Sequence, residues 1–121
     1  MLTKQEMFDR AVRGLASQGW ERAVDEEGRC QYQDATGKRC AWGWVDRSLD
    51  ETTPFGSVLS LRRSKIGLAA ELDDEHEDFA GFLQTAHDID RPVSRRITAF
   101  VDLAEKYNLT WPSDVPQELP C

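Results

Sequence analysis

The apolar residues near the start of the chain recur at the spacing of one helix face. They follow Thr3, which has Glu6 three positions later, the spacing of a capping box in which each side chain accepts a hydrogen bond from a free backbone N–H. Gly19 stands where a helix often ends in the left-handed conformation. The pattern predicts a helix over 3–18, with a buried face made of Met7, Phe8, Ala11, Val12, Leu15 and Ala16.

The next segment, 20–46, is predicted to form β-structure, because its stretch 28–44 alternates residue by residue, which is typical of a β-hairpin. The stretch Asp34-Ala-Thr-Gly37 suits a type I turn closed by a left-handed glycine. A hairpin around this turn would grow into a three-stranded meander if residues 20–25 added a strand. Because successive strand residues point to opposite sides of a sheet, one face would carry Cys30, Tyr32, Cys40, Trp42 and Trp44, covered by the first helix.

Helical spacing returns in the second half of the chain. After a polar loop over 46–56, it predicts helices over about 57–67, 74–88 and 91–108, followed by an extended, proline-rich tail over 109–121. A length of 121 residues fits a single domain. We therefore predict an α+β fold, in which a short antiparallel β-meander of two or three strands packs against three to four α-helices.

The composition excludes several classes of protein. With 40% hydrophobic and 31% charged residues, the chain is globular rather than disordered. Its net charge of −7 disfavours direct binding to nucleic acid, which carries the same sign. Because no apolar stretch reaches the length of a membrane span or resembles a signal peptide, we expect a cytoplasmic protein without membrane association. Three cysteines, an odd number, do not indicate a disulfide framework in such a compartment.

The strongest charge feature is the stretch 71–78, which holds six acidic residues in eight positions. A solvated helix start explains it most simply, because carboxylates there complement the helix dipole. The alternative is a binding surface for a basic protein, including one that itself binds nucleic acid. An exposed tryptophan would add an interface anchor. The candidate binding residues are therefore Glu71, Asp73, Asp74, Glu75, Glu77, Asp78 and Trp44.

A catalytic alternative rests on Cys40, His87 and Asp88, the residue types of a thiol nucleophile, its base and an orienting carboxylate. Neighbouring helix residues point about 100° apart, so Asp88 is poorly placed to orient the ring of His87. A metal alternative would use Cys30, Cys40 and His87, but the closely spaced ligand pairs of structural zinc sites are missing. We therefore favour buried, reduced cysteines with no metal and no cofactor.

Two short motifs, Cys30-x-Tyr32 and Gly37-x-x-Cys40-Ala41-x-Gly43, resemble those of small uncharacterised proteins that are common in phages and prophages. In those proteins a helix precedes the motifs and a helix ending in His-Asp follows them, as 3–18 and His87-Asp88 would here. By the order of elements the resemblance covers roughly residues 4–107. It implies a phage-type accessory protein and no particular reaction.

Small size, acidity and the lack of a catalytic motif lead to one preferred function. We predict an accessory protein that acts by binding another protein, with inhibition of a CRISPR-type or other host nuclease system as the concrete hypothesis. The alternative is a cysteine- or metal-dependent enzyme that uses Cys40 and His87. The sequence does not indicate the oligomeric state.

Overall fold

A computed structural model of the chain describes residues 2–54, 56–88 (for Asp88 the backbone only) and 92–117. In these ranges the helices are α1 (Lys4–Ser17), α2 (Ala41–Val45), α3 (Val58–Arg63), α4 (Asp74–Asp88) and α5 (Val93–Lys106), and a 3₁₀ turn (Gly67–Glu71) lies between α3 and α4. None of these helices has both the length and the apolar character needed to cross a membrane.

The predicted α+β fold with a β-meander is wrong, and the fold is helical. Across the described residues, β pairing consists of two isolated antiparallel bridges, one between Val24 and Cys30 and one between Gln33 and Arg39. Each bridge flanks a turn and is not continued into a strand. The segment 20–46 therefore contains two closed turns and a short helix, α2, where we predicted a sheet.

The two turns have the same construction, and each is stabilised within itself. Asp25 Oδ1 accepts hydrogen bonds from the backbone N–H groups two and four residues later, both at 2.9 Å, and Gly28 takes the left-handed conformation with φ of +81°. Asp34 and Gly37 repeat this arrangement, with distances of 2.9 and 3.0 Å and φ of +93°. The turn predicted over 34–37 thus forms, but its hydrogen bonds close a loop instead of starting a ladder.

The second turn ends at Cys40, which begins α2 as its N-cap residue. The sulfur of Cys40 accepts a hydrogen bond from the N–H of Gly43 at 3.4 Å. Gly43 lies so close to the backbone of Tyr32 that a Cβ atom there would stand 2.2 Å from the Tyr32 carbonyl oxygen. The end of the alternating stretch is thus a helix and not a strand. In a helix, residues two positions apart point to nearly opposite sides.

The predicted single face of five side chains is accordingly wrong as well. Tyr32, Cys40 and Trp42 are buried in the core, whereas Cys30 and Trp44 are only partly buried. Trp42 points into the core and Trp44 lies against α1. The five residues therefore do not share one face.

The helices outside this segment lie close to the predicted ranges. The capping box at the start of α1 is confirmed, since Thr3 and Glu6 each accept a hydrogen bond from the other's backbone N–H. Gly19 adopts a left-handed φ of +68° after α1. The helix α4 coincides with the predicted 74–88, and α3 and α5 occupy parts of the predicted 57–67 and 91–108. Arg91, the predicted first residue of the last helix, lies outside the described residues.

The core forms where α2 packs between α1 and α4, while α4 also contacts α3 and α5. An aromatic cluster joins α1, the turn after it, α5 and the tail: Phe8, Trp20, Phe100 and Trp111. The side-chain amide of Gln5 fixes the tail by bonding both backbone groups of Thr110 at 2.9 Å. At Thr110 and Trp111 the tail therefore packs against α1.

Candidate functional site

A groove of about 780 Å³ lies between α1, the loop after α2 and the 3₁₀ turn. Its walls carry three arginines, Arg10 and Arg13 from α1 and Arg47 from the loop, together with the indole of Trp44. We call it the arginine groove. Three guanidinium groups around one cavity are unexpected in a chain whose net charge is −7.

Trp44 forms a fixed platform in the arginine groove. Its ring lies directly on Gly14, where a Cβ atom would stand 2.1 Å from the ring carbon Cδ2. The indole N–H donates a hydrogen bond of 3.0 Å to Gln18 Oε1, and the guanidinium of Arg47 lies 5.7 Å from the ring centroid in a cation–π contact. Packing on one side and a hydrogen bond at the edge hold the indole in one orientation.

The arginines of the groove are exposed and lightly held. Arg10 donates one hydrogen bond to the carbonyl oxygen of Val45 at 3.2 Å. Arg13 donates to a single oxygen of Asp114, at 3.2 and 3.3 Å, and this bond lowers the pKa of Asp114. Exposed ion pairs contribute little to stability, so the guanidinium of Arg13 can reorient at small cost.

The carboxylate of Asp46 is buried at the back of the groove and shapes the loop that carries Arg47. One oxygen accepts from the backbone N–H and hydroxyl of Ser48, at 3.1 and 2.6 Å, and the other from the N–H of Leu68 at 2.8 Å. Gly67 approaches so closely that a Cβ atom would stand 2.2 Å from Asp46 Oδ2. Asp46 therefore ties the loop to the 3₁₀ turn.

The acidic residues predicted to bind a partner lie at the N-terminal end of α4, where part of their charge is already used. Asp73 accepts from the backbone N–H and the ring of His76, at 2.8 and 2.7 Å, and the backbone hydrogen bond lowers its pKa. Arg62 bridges Asp74 and Glu77 at 2.7 and 3.0 Å. Several carboxylates of the stretch are thus already engaged in hydrogen bonds and ion pairs within the protein.

Of the remaining carboxylates in the stretch, Glu75 pairs with Lys4, and Glu71 and Asp78 are exposed. Asp74 keeps 94% of its side-chain surface exposed in spite of its ion pair. The stretch therefore still presents negative charge to solvent.

A second groove, of about 270 Å³, runs between α3 and α4 beside these carboxylates. Leu59 and Phe82 line it and are unusually exposed for large apolar side chains, at 36% and 42%. Glu77 and Asp78 lie on the same groove. We call it the α3–α4 groove, and it combines an apolar surface with a negatively charged edge.

The proposed nucleophile and base serve structural roles. Besides capping α2, the sulfur of Cys40 accepts a hydrogen bond of 3.4 Å from the amide of Gln84, whose oxygen holds the N–H of Trp42 at 2.8 Å. The ring of His87 lies 2.9 Å from the carbonyl oxygen of Trp20. For Asp88 only the backbone is described.

His87 is completely buried. The pKa of His87 is lowered from the usual 6.5 to about 4, mainly by burial; the hydrogen bond to the Trp20 carbonyl raises it, and the nearby Arg96 and Arg22 contribute to the lowering. His87 is therefore neutral at pH 7. The carbonyl can only accept, so the ring proton is assigned to Nε2.

Among the described residues, no group of three or more His, Cys, Asp or Glu side chains is arranged to hold a metal ion. Cys30, Cys40 and His87 therefore do not form such a group. Cys30 instead accepts a hydrogen bond of 3.0 Å from the guanidinium of Arg22. Cys121 lies outside the described residues.

The structure distributes the predicted binding residues over two surfaces. Trp44 lines the arginine groove, whereas Glu77 and Asp78 line the α3–α4 groove. The sequence did not point to the arginines of the first groove or to Leu59 and Phe82 as exposed. No protein-family model, curated protein or solved structure matches the chain, so its own residues carry the functional argument.

Proposed function

We propose that the chain is a small accessory protein, of the phage type that its motifs resemble, and that it acts by binding a basic protein through the α3–α4 groove. The observation that carries this proposal is the exposed apolar pair Leu59 and Phe82 beside Glu77 and Asp78. Exposed aromatic side chains in a pocket are typical anchors of protein interfaces. The adjacent carboxylates favour an apolar partner segment that also carries lysine or arginine.

Charge adds support for a basic partner. Asp74 and Glu75 extend the negative edge along the first turn of α4, and both are highly exposed. A surface of this sign steers a basic partner towards the groove and repels nucleic acid. A nucleic-acid-binding surface of a host nuclease, such as a CRISPR-type effector, has the required charge, so inhibition of such a nuclease is the concrete form of the proposal.

The alternative of an enzyme that uses Cys40 and His87 has less support. The sulfur of Cys40 is fully buried and accepts hydrogen bonds from Gly43 and Gln84. The ring of His87 is equally buried and holds a backbone carbonyl. A nucleophile and its base need access to a substrate, and both side chains lack it.

The proposal is tested with purified CRISPR-type effector complexes, by measuring both binding and inhibition of target-DNA cleavage. The wild-type chain should bind at least one effector, and Phe82→Ser and Asp78→Lys should each weaken that binding about tenfold or more. Higher salt should slow association. Glu105→Lys, on an exposed position of α5, makes the same charge reversal away from the groove and should have little effect.

Two results would contradict the proposal. The first is that no effector binds the chain and no cleavage is inhibited. The second is a complex whose affinity is the same for the wild type, Phe82→Ser and Asp78→Lys, because the partner would then contact another surface. Phe82 and Asp78 are exposed, so both variants should fold. The thermal melt of each variant verifies this.

A further inference from the structure

We propose that the arginine groove binds a small phosphate-bearing molecule with a planar ring, such as a nucleoside monophosphate. This site is separate from the α3–α4 groove and carries the opposite charge. The two proposals therefore stand or fall independently.

The charge of the groove favours an anion. Its lining contains three arginines and one carboxylate, that of Asp46, in a chain that is strongly acidic as a whole. The carboxylate is buried and accepts from Ser48 and Leu68. The charge that the lining exposes is thus mainly that of guanidinium groups, which match phosphate by donating paired hydrogen bonds.

The arginines also have donors to offer. A guanidinium carries about five N–H donors. In the described parts of the chain, Arg10 donates one hydrogen bond and Arg13 donates two to one carboxylate oxygen, while Arg47 contacts the face of Trp44. Arg10 and Arg13 lie three positions apart on α1, so they project from the same side of the helix. Arg47 completes the set from the loop after α2.

The indole of Trp44 is the reason for proposing a ligand with a planar ring. Gly14 supports one side of the indole, Gln18 fixes its edge, and the guanidinium of Arg47 lies over the ring, so a base stacks on Trp44 once Arg47 has turned towards the phosphate. Bases stack on aromatic side chains of this kind, and arginine adds a cation–π contribution. The volume of about 780 Å³ is within the range of small-molecule sites, about 300 to 1,000 Å³, and exceeds what a phosphate ion alone would fill.

The first experiment titrates the full chain with adenosine monophosphate, adenosine and inorganic phosphate by calorimetry. The nucleotide should bind saturably, with a dissociation constant below about 1 mM, and more tightly than either of its parts. A 5′-phosphorylated oligonucleotide identifies the source of the ligand: if it binds more tightly than the free nucleotide, the site takes a strand end, and otherwise it takes a mononucleotide.

Variants then connect binding to the groove. Arg10→Gln and Arg47→Gln should each weaken nucleotide binding about tenfold, because each loses a charge-assisted contact to phosphate. Trp44→Leu should reduce the affinity for the nucleotide towards that for phosphate. Arg95→Gln removes an exposed arginine of α5 outside the groove and serves as the matched control. Thermal melts verify that each variant is folded.

Four results would overturn the inference. One is the absence of saturable binding by the nucleotide. Another is adenosine binding as tightly as its monophosphate, which would remove the role of the arginines. The third is equal affinity in the wild type, Arg10→Gln and Arg47→Gln, which would place the ligand elsewhere. If inorganic phosphate binds as tightly as the nucleotide, the stacking role of Trp44 is refuted.

Discussion

His87 should make the protein less stable as the pH falls from 7 to 4. Its ring is buried and Nε2 bonds the carbonyl oxygen of Trp20, while no described residue contacts Nδ1 by a hydrogen bond. Protonation of Nδ1 would add a buried charge close to Arg22 and Arg96. The native state therefore resists the proton that the unfolded chain accepts readily.

The size of the effect follows from the pKa of His87 in the two states. The unfolded ring titrates near 6.5 and the folded ring near 4. At about 1.4 kcal/mol for each pH unit, the interval corresponds to about 3 kcal/mol of unfolding free energy. This stability is present above the unfolded pKa and is lost as pH falls through 6.5 towards 4. Between pH 7.5 and 5 the loss should be about 2 kcal/mol.

The assay is urea unfolding at several pH values for the wild type and His87→Gln. Glutamine can still donate to the Trp20 carbonyl but does not titrate, so the variant should lack the loss between pH 7.5 and 5. The control His76→Gln changes the other histidine, which lies at the start of α4, and should keep the loss. If the wild type and His87→Gln fall in parallel, within about 0.5 kcal/mol, the reasoning about His87 is refuted.

Two further predictions concern packing, and both are measured by urea unfolding. Gly14→Ala should destabilise the fold by about 1 to 2 kcal/mol because the new Cβ meets the ring of Trp44. Gly81→Ala has no neighbour within 4 Å and should stabilise the fold by about 0.5 to 1 kcal/mol. Equal effects at the two positions would contradict the close contact between Gly14 and Trp44. Tyr32→Phe should cost about 1 kcal/mol, since it removes the 2.6 Å hydrogen bond to the Gly56 carbonyl, and an unchanged midpoint would show that this bond contributes nothing.

The parts of the fold that could be predicted are those decided by neighbours in sequence. Thr3 and Glu6 form their capping box because three positions separate them. Asp34 and Gly37 form their turn because the carboxylate bonds nearby backbone N–H groups. Local chemistry of this kind leaves its signature in the sequence, and long apolar faces do the same for α1, α4 and α5.

The meander failed because alternation over a few residues does not distinguish a strand from a short buried helix. With five residues, α2 is far below the length of about 12 at which an isolated helix becomes stable. It forms because distant residues hold it, including Gln84, which accepts a hydrogen bond from the N–H of Trp42. A sulfur cap at Cys40 carries no conspicuous signal, since serine, threonine, aspartate and asparagine are the usual caps.

The candidate sites depend on the same long-range contacts, and Trp44 is an example. Its position on α2 is set by Gly14, whose missing side chain lets the indole lie flat against α1. That contact brings Trp44 beside Arg10 and Arg13, about 30 residues earlier in the chain. Taken singly, neither Gly14 nor the two arginines give a signal in the sequence that indicates a groove. The arginine groove forms because Gly14 has no side chain to displace the ring of Trp44. Gly14→Ala should therefore weaken nucleotide binding as well as destabilise the fold.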